Sequence, residues 1–208
     1  MSCSAKFITL EGGEGSGKST NIEFVCSVLE EQGVDYVLTR EPGGTEIAEK
    51  IRSLLLDHHQ EPLGAMSELL LIFAARAQHI QRIISPALAN NQWVVSDRFT
   101  DATYAYQGVA RKLGKAYVEQ LEQLVQGDLR PDKVFLLDLD VALGFERVNQ
   151  RGEKDRFELE SLDFFENVRR GYHQRAEQNP KGYAIIDASQ SLEQVQEDLR
   201  SHIEQLLT

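Results

Sequence analysis

The sequence predicts an α/β fold built on a five-stranded parallel sheet flanked by helices. Three observations carry this reading. Five short, mostly apolar runs alternate with longer stretches of helical periodicity over 208 residues. The first run leads straight into Gly12-Gly13-Glu14-Gly15-Ser16-Gly17-Lys18-Ser19, which fits the phosphate-loop pattern G-x-x-x-x-G-K-[ST]. Polar clusters then follow the runs where the carboxyl ends of strands would lie, which is where open parallel sheets bind ligands. Strands that alternate with helices in sequence place helices on both faces of one sheet.

Each element has its own warrant. Lys6–Leu10 is a short apolar strand, and Thr20–Gln32 is a helix with Ile22, Val25, Val28 and Leu29 on one face. Asp35–Thr39, Trp93–Ser96, Lys133–Leu137 and Tyr183–Ile186 are the other strands, apolar as strands covered on both faces should be. Helical patterns fill 18–32, 45–57, 65–90, 101–127, 141–151, 161–179 and 191–207. With no repeat, low-complexity tract or Pro/Gly/Ser linker, residues 1–208 are expected to form a single domain.

Composition narrows the function. The formal net charge is -11, from 22 basic and 33 acidic side chains. Such a chain is a poor match for nucleic-acid phosphates or an anionic membrane, so neither is an expected partner. Any basic site must be local and shaped for a small anion. Cys3 and Cys26 lack metal-ligand spacing, and the five histidines form no ligand set. No secretory signal or apolar run of spanning length is present, so a soluble cytoplasmic protein with reduced thiols is expected.

The phosphate loop dictates the chemistry. Its glycines let successive N–H groups turn inward on phosphate oxygens. Lys18 supplies a cation for the β- and γ-phosphates, and the Ser19 hydroxyl suits Mg²⁺. Glu14 makes sense inside an anion-binding loop if it faces a second, incoming substrate or a Mg²⁺-bound water. Asp97-Arg98 closes the third strand, where an acid supports the Mg²⁺ shell and Arg98 reaches a transferring phosphoryl group. Arg40-Glu41-Pro42-Gly43-Gly44 forms a tight turn after the second strand, aiming Arg40 at a second phosphate, with Arg52 one helix further on.

Arg76 interrupts the apolar run Leu69–Ala77 and shares a helix face with Ile72 and Phe73. Two readings stand for it: a base site with apolar surface and guanidinium donors, or a core helix whose arginine snorkels to water. Thr103, Tyr104, Tyr106 and Gln107 bring hydroxyl and amide groups able to read a base edge or a sugar. Arg147, Arg151 and Lys154 recur at helical spacing until Gly152, so residues 147–158 are expected to form a lid that closes over phosphates.

Taken together, the loop with Glu14, Thr39-Arg40-Glu41-Pro42-Gly43-Gly44-Thr45, Phe73-Ala74-Ala75-Arg76, Asp97-Arg98 and Ala105-Tyr106-Gln107-Gly108 resemble the thymidylate kinases, most closely the bacterial ones. The resemblance covers essentially the whole chain. It implies the nucleoside monophosphate kinase type of P-loop fold, a homodimer, and Mg²⁺-dependent transfer from ATP to dTMP. Mapped onto this sequence, it implies that Gly12, Gly13, Glu14, Gly15, Ser16, Gly17, Lys18, Ser19 and Thr20 hold ATP, with Arg147, Arg151 and Ser189 (in the segment Asp187–Gln190) also on the ATP side. Ser19 and Asp97 would attend Mg²⁺. Arg40, Glu41 and Arg52 would serve the acceptor phosphate site, and Arg98 would bridge it to the transferring group.

The resemblance further implies that Arg76 donates to a thymine carbonyl, that Thr103 and Gln107 read other parts of the base, and that Tyr106 packs on the deoxyribose against a 2′-hydroxyl. Ile72 and Phe73 are both candidates for the ring face. Where some members carry an arginine after the loop carboxylate, this chain has Gly15. Transition-state charge then falls to the lid arginines Arg147, Arg151 and Arg156, with Arg151 the first choice. Glu14, Lys18, Arg98 and Arg151 are thus the expected catalytic set. Two rival functions are a kinase for another acceptor, such as a deoxynucleoside or another pyrimidine monophosphate, and a non-catalytic nucleotide switch or binding module; Arg40 and Arg52 disfavour a nucleoside acceptor without a phosphate, and a base-reading pocket disfavours the second.

Overall fold

In a computed structural model, which describes residues 4–149 and 156–207, five parallel strands form one sheet in the order β2-β3-β1-β4-β5. The strands are β1 (Phe7–Gly12), β2 (Tyr36–Arg40), β3 (Trp93–Asp97), β4 (Lys133–Asp138) and β5 (Tyr183–Asp187). The expected α/β class and five-stranded parallel sheet are therefore present. Helices α1 (Lys18–Glu31), α2 (Glu46–Leu56), α3 (Ala65–His79), α4 (Ser85–Ala89), α5 (Thr100–Thr103), α6 (Lys115–Gln126), α7 (Val141–Asn149), α8 (Leu162–Gln178) and α9 (Leu192–Leu207) flank it.

Side-chain alternation along the strands builds two cores. Ile8, Leu10, Val95, Phe135, Leu137 and Ile186 face α1 and α9, meeting Val25, Leu29, Leu199 and Ile203. Val134 and Leu136 point the other way, onto Phe165, Val168 and Tyr172 of α8. Every position from Phe7 to Gly12 is buried, so β1 is the spine of the sheet. Each fully buried Leu or Phe here contributes about 1.5–3 kcal/mol relative to exposure.

The strands run one or two residues further than apolar runs indicate, into Gly12, Arg40, Asp97, Asp138 and Asp187. Pairing continues through these residues: Leu10 and Arg40 are both in register with Asp97, and Asp138 with Asp187. Chemistry-bearing side chains are thus fixed by the sheet itself.

The expected helix over 101–127 is a correction: it is two helices. After α5 the chain widens into a π-helical turn, Tyr104–Ala110, and breaks before α6. Gly114 at φ 82° and Lys112 at φ 60° provide the break. The wide turn packs closely on α8, where a Cβ on Gly171 would lie 2.7 Å from the Cα of Ala105. Within 65–90 a second π turn, Ile80–Ile84, precedes Pro86, whose missing N–H disfavours regular α-helix there. Arg151, Lys154 and Cys3 lie outside the described residues, as does half of the lid expected at 147–158. No helix among the described residues is long and apolar enough to cross a membrane.

Candidate active site

The phosphate loop bends where β1 hands over to α1. Gly15 (φ 73°) takes a left-handed conformation, and a Cβ there would lie 2.3 Å from the carbonyl oxygen of Gly144. Only glycine fits between this loop and α7. Lys18 Nζ donates to the carbonyls of Gly12 and Gly13, both at 3.0 Å, and Ser16 Oγ to Gly13 at 2.9 Å. The N-cap of α1 is Gly17, without a side-chain cap, so the first-turn N–H groups face the loop as anion donors. Burial, with the nearby Arg98 cation, lowers the Lys18 ammonium to about 8 against the pull of Glu14.

Arg98 is the centre of the second cluster. It sits at φ 68°, a strained conformation for an arginine, held by its own N–H to the Leu10 carbonyl at 3.0 Å and by Ser96 Oγ on its carbonyl at 2.8 Å. Its guanidinium donates to Glu14 Oε1 at 2.7 Å, to the Tyr106 hydroxyl at 3.0 Å and to the Tyr172 hydroxyl at 3.1 Å. The two hydroxyls pass their protons on: Tyr106 donates to Glu14 at 2.9 Å, and Tyr172 to Glu11 at 2.9 Å. Burial alone would raise the Glu14 pKa. The charges of Arg98 and Lys18 and the hydrogen bonds from Tyr106 and Arg98 overcome it and hold the carboxyl at about 2. Glu11 goes the other way, to about 8, because burial and the neighbouring Asp101 outweigh Arg98 and two hydrogen bonds.

A third cluster surrounds Arg76, which is 1% exposed. Its Nε donates to Glu41 Oε2 at 2.7 Å, and one Nη to Thr103 Oγ1 at 2.9 Å and the Phe99 carbonyl at 3.2 Å. Glu41 Oε1 is bound to His79 Nδ1 at 2.8 Å, and His79 Nε2 meets Thr39 Oγ1 at 2.6 Å. Paired this way, a buried guanidinium is tolerable; removing Glu41 would cost about 3–5 kcal/mol. The other nitrogen, Nη1, is buried and has no hydrogen-bond partner among the described residues.

One cavity of about 290 Å³ joins the three clusters. Its wall includes Glu14–Ser19, Asp97 and Arg98 from the first two clusters, Arg76 and Thr103 from the third, and Arg52, Ile72, Tyr106 and Gln107. The volume suits a single small organic ligand.

This geometry agrees with comparisons to known proteins. A family model described as Thymidylate kinase matches residues 10–199. A thymidylate kinase of Ectopseudomonas mendocina is 58% identical over 201 residues, covering 97% of this chain and 96% of the relative. One from Teredinibacter turnerae is 52% identical over 97% of this chain and 98% of its own length, and one from Chromohalobacter salexigens is 55% identical over 97% and 96%. The chain belongs to the thymidylate kinase family. It is therefore a kinase, an enzyme of the transferase class.

Many of the residues picked out in the sequence line this cavity, but Gly12, Gly13, Thr20, Arg40, Phe73, Tyr104, Arg147 and Ser189 are not on its wall. Phe73 is core: it packs with Leu69, Tyr104 and Val118, its ring centroid 4.7 Å from the Arg76 guanidinium carbon, while Ile72 is on the cavity wall. Arg40 is absent from that wall, with its guanidinium forked on Glu49 at 2.9 and 3.3 Å. Ser189 is likewise away from it, exposed and donating to Asp187. Arg52 does line the cavity and is braced by the Pro42 carbonyl at 2.9 Å. Arg147 spans the loop and the β5 end, donating to the carbonyls of Gly15 and Ala188 at 3.3 Å. Glu41 and Thr103 touch Arg76 directly.

Sequence reasoning gave no role to Glu11, His79, Glu68 or Tyr172. Glu11 carried the one local signal, an acid at the end of a mostly apolar strand directly before the loop.

Proposed function

We propose that the chain transfers the γ-phosphoryl group of ATP to dTMP, giving dTDP and ADP. The observation that carries this is a cavity lined both by the phosphate loop and by Gln107 and Arg76, whose Nη1 has no hydrogen-bond partner among the described residues. Lys18 and the loop N–H groups hold the donor phosphates. Arg52 holds the acceptor phosphate, and Arg98 neutralises charge between the two. No covalent intermediate is needed, since the acceptor phosphate oxygen attacks and the chain supplies positioning and charge. Glu14, held ionised, orients Arg98 and Tyr106.

Mg²⁺ fits this site. Asp97 Oδ1 is buried without a hydrogen-bond partner among the described residues, and Asp97 shares the cavity wall with Ser19. One carboxylate, a hydroxyl and substrate phosphates make an ordinary Mg²⁺ shell. When bound, the ion would screen the β- and γ-phosphate charge.

Arg151 is assigned the transition-state charge of the lid. Arg156 is occupied elsewhere, donating to Glu68 at 2.6 Å and to the Leu55 carbonyl at 2.9 Å, which favours Arg151. Residues 1–208 then form one kinase domain, with the lid at 147–158. A cytoplasmic homodimer completes the reading. It is supported by exposed Leu54, Leu70 and Leu124 on the neighbouring helices α2, α3 and α6.

The test is transfer of label from γ-labelled ATP. Label should appear in dTDP with dTMP and Mg²⁺ present and vanish with EDTA. Label in inorganic phosphate alone would contradict the proposal.

A further inference from the structure

Glu68 is fully buried, one α-helical turn before Ile72 and two before Arg76 on the same face of α3. Its Oε1 accepts from Gln107 Nε2 at 2.7 Å and from Arg111 Nε at 3.2 Å; its Oε2 accepts from Arg156 Nη2 at 2.6 Å. A carboxylate clamped by two guanidiniums offers acceptors only. It can hold the Gln107 amide by its NH₂ end and by no other. The amide oxygen is the end left over, in a residue that lines the same cavity as Arg76, whose Nη1 has no hydrogen-bond partner among the described residues.

We propose that Glu68 is a positioning residue for base selection: it fixes the Gln107 amide so that a carbonyl oxygen, next to the Arg76 donor, meets the base. A donor and an acceptor side by side match the 4-oxo group and N3–H of thymine or uracil. Cytosine presents the reverse pattern, a 4-amino donor and an N3 acceptor, and leaves both protein groups unpaired.

The inference rests on the dTMP reading above, and the experiment separates the two. The kcat/KM values for dTMP and dCMP are compared in the wild-type protein, in Glu68→Gln, and in both variants of the Gln107→Ala background. Glutamine at 68 can present either end, so the Gln107 amide is free to turn. The dTMP-to-dCMP ratio should fall at least tenfold in Glu68→Gln and be unaffected by that change when Gln107 is already alanine. An equal loss for both substrates, or the same fall in the Gln107→Ala background, would overturn the proposal while leaving the kinase reading intact. A wild-type protein inert toward dTMP would remove both. Should Glu68→Gln fail to fold, the wild-type Gln107 amide protons decide by NMR. Held by Glu68, they exchange slowly and barely shift on dTMP binding; a large shift would place the NH₂ on the base and refute the assignment.

Discussion

Arg98 is held in a left-handed conformation that few arginines adopt, and its three hydrogen bonds explain why. The surroundings fix the guanidinium before any substrate arrives. Arg98→Ala is expected to lower kcat by about 10²–10³-fold while ATP affinity changes far less. Unchanged turnover at saturating substrates would remove that role. Glu11 behind it gives a pH-dependent effect. Its ordinary pKa is 4.5 and its folded value about 8, so between these the folded chain binds more protons than the unfolded one. Its contribution to stability is complete below about 4.5 and is lost as pH rises through 8. Relative to Glu11→Gln, the wild-type protein should therefore lose up to about 1.4 kcal/mol per pH unit between pH 5 and 8. Urea unfolding of both proteins at the two pH values measures this; a constant difference would contradict it.

At the scale of elements, the phosphate loop and α7 approach so closely that neither side has room for a methyl group. A Cβ on Gly144 would lie 2.5 Å from the Glu14 carbonyl oxygen. Gly144→Ala must push α7, and Arg147 with it, off the loop. It is expected to destabilise by about 1–3 kcal/mol and to weaken ATP binding at least tenfold, read by thermal melts and by titration with a non-hydrolysable analogue. Wild-type affinity would show that the loop does not need this seat. The loop and the strand ends were legible because their signals are local: a motif eight residues long, and acids or arginines directly after apolar runs. The π turn that begins at Tyr104 was not, because it is shaped by packing on α8, whose Gly171 meets Ala105, far away in the chain. Glu11, His79, Glu68 and Tyr172 were hidden for the same reason. Their partners lie 88, 38, 39 and 161 residues distant. Arg76 was legible as an anomaly, but only the fold decides that Ile72 rather than Phe73 shares its cavity.

On the scale of the whole molecule, a chain of net charge -11 gathers Lys18, Arg52, Arg76 and Arg98 around one cavity. An acidic remainder disfavours polyanions, and under the proposed function the cations lining the cavity would hold a small anion. The exposed leucines on α2, α3 and α6 belong to this scale too. Light scattering should give a dimer for the wild-type protein and a monomer for Leu70→Glu; a wild-type monomer would contradict the proposed assembly. The central claim is that this cavity holds a thymidine monophosphate with its phosphate facing a triphosphate bound on the phosphate loop. Initial rates of ADP formation, with Mg²⁺ and ATP held fixed and dTMP, dUMP, UMP and thymidine offered in turn, test it most directly. The expected result is rapid turnover with dTMP, weak turnover with UMP, whose 2′-hydroxyl meets Tyr106, and none with thymidine, which lacks the phosphate that Arg52 and Arg98 would hold. ADP formation independent of the acceptor, or as fast with thymidine as with dTMP, would contradict it.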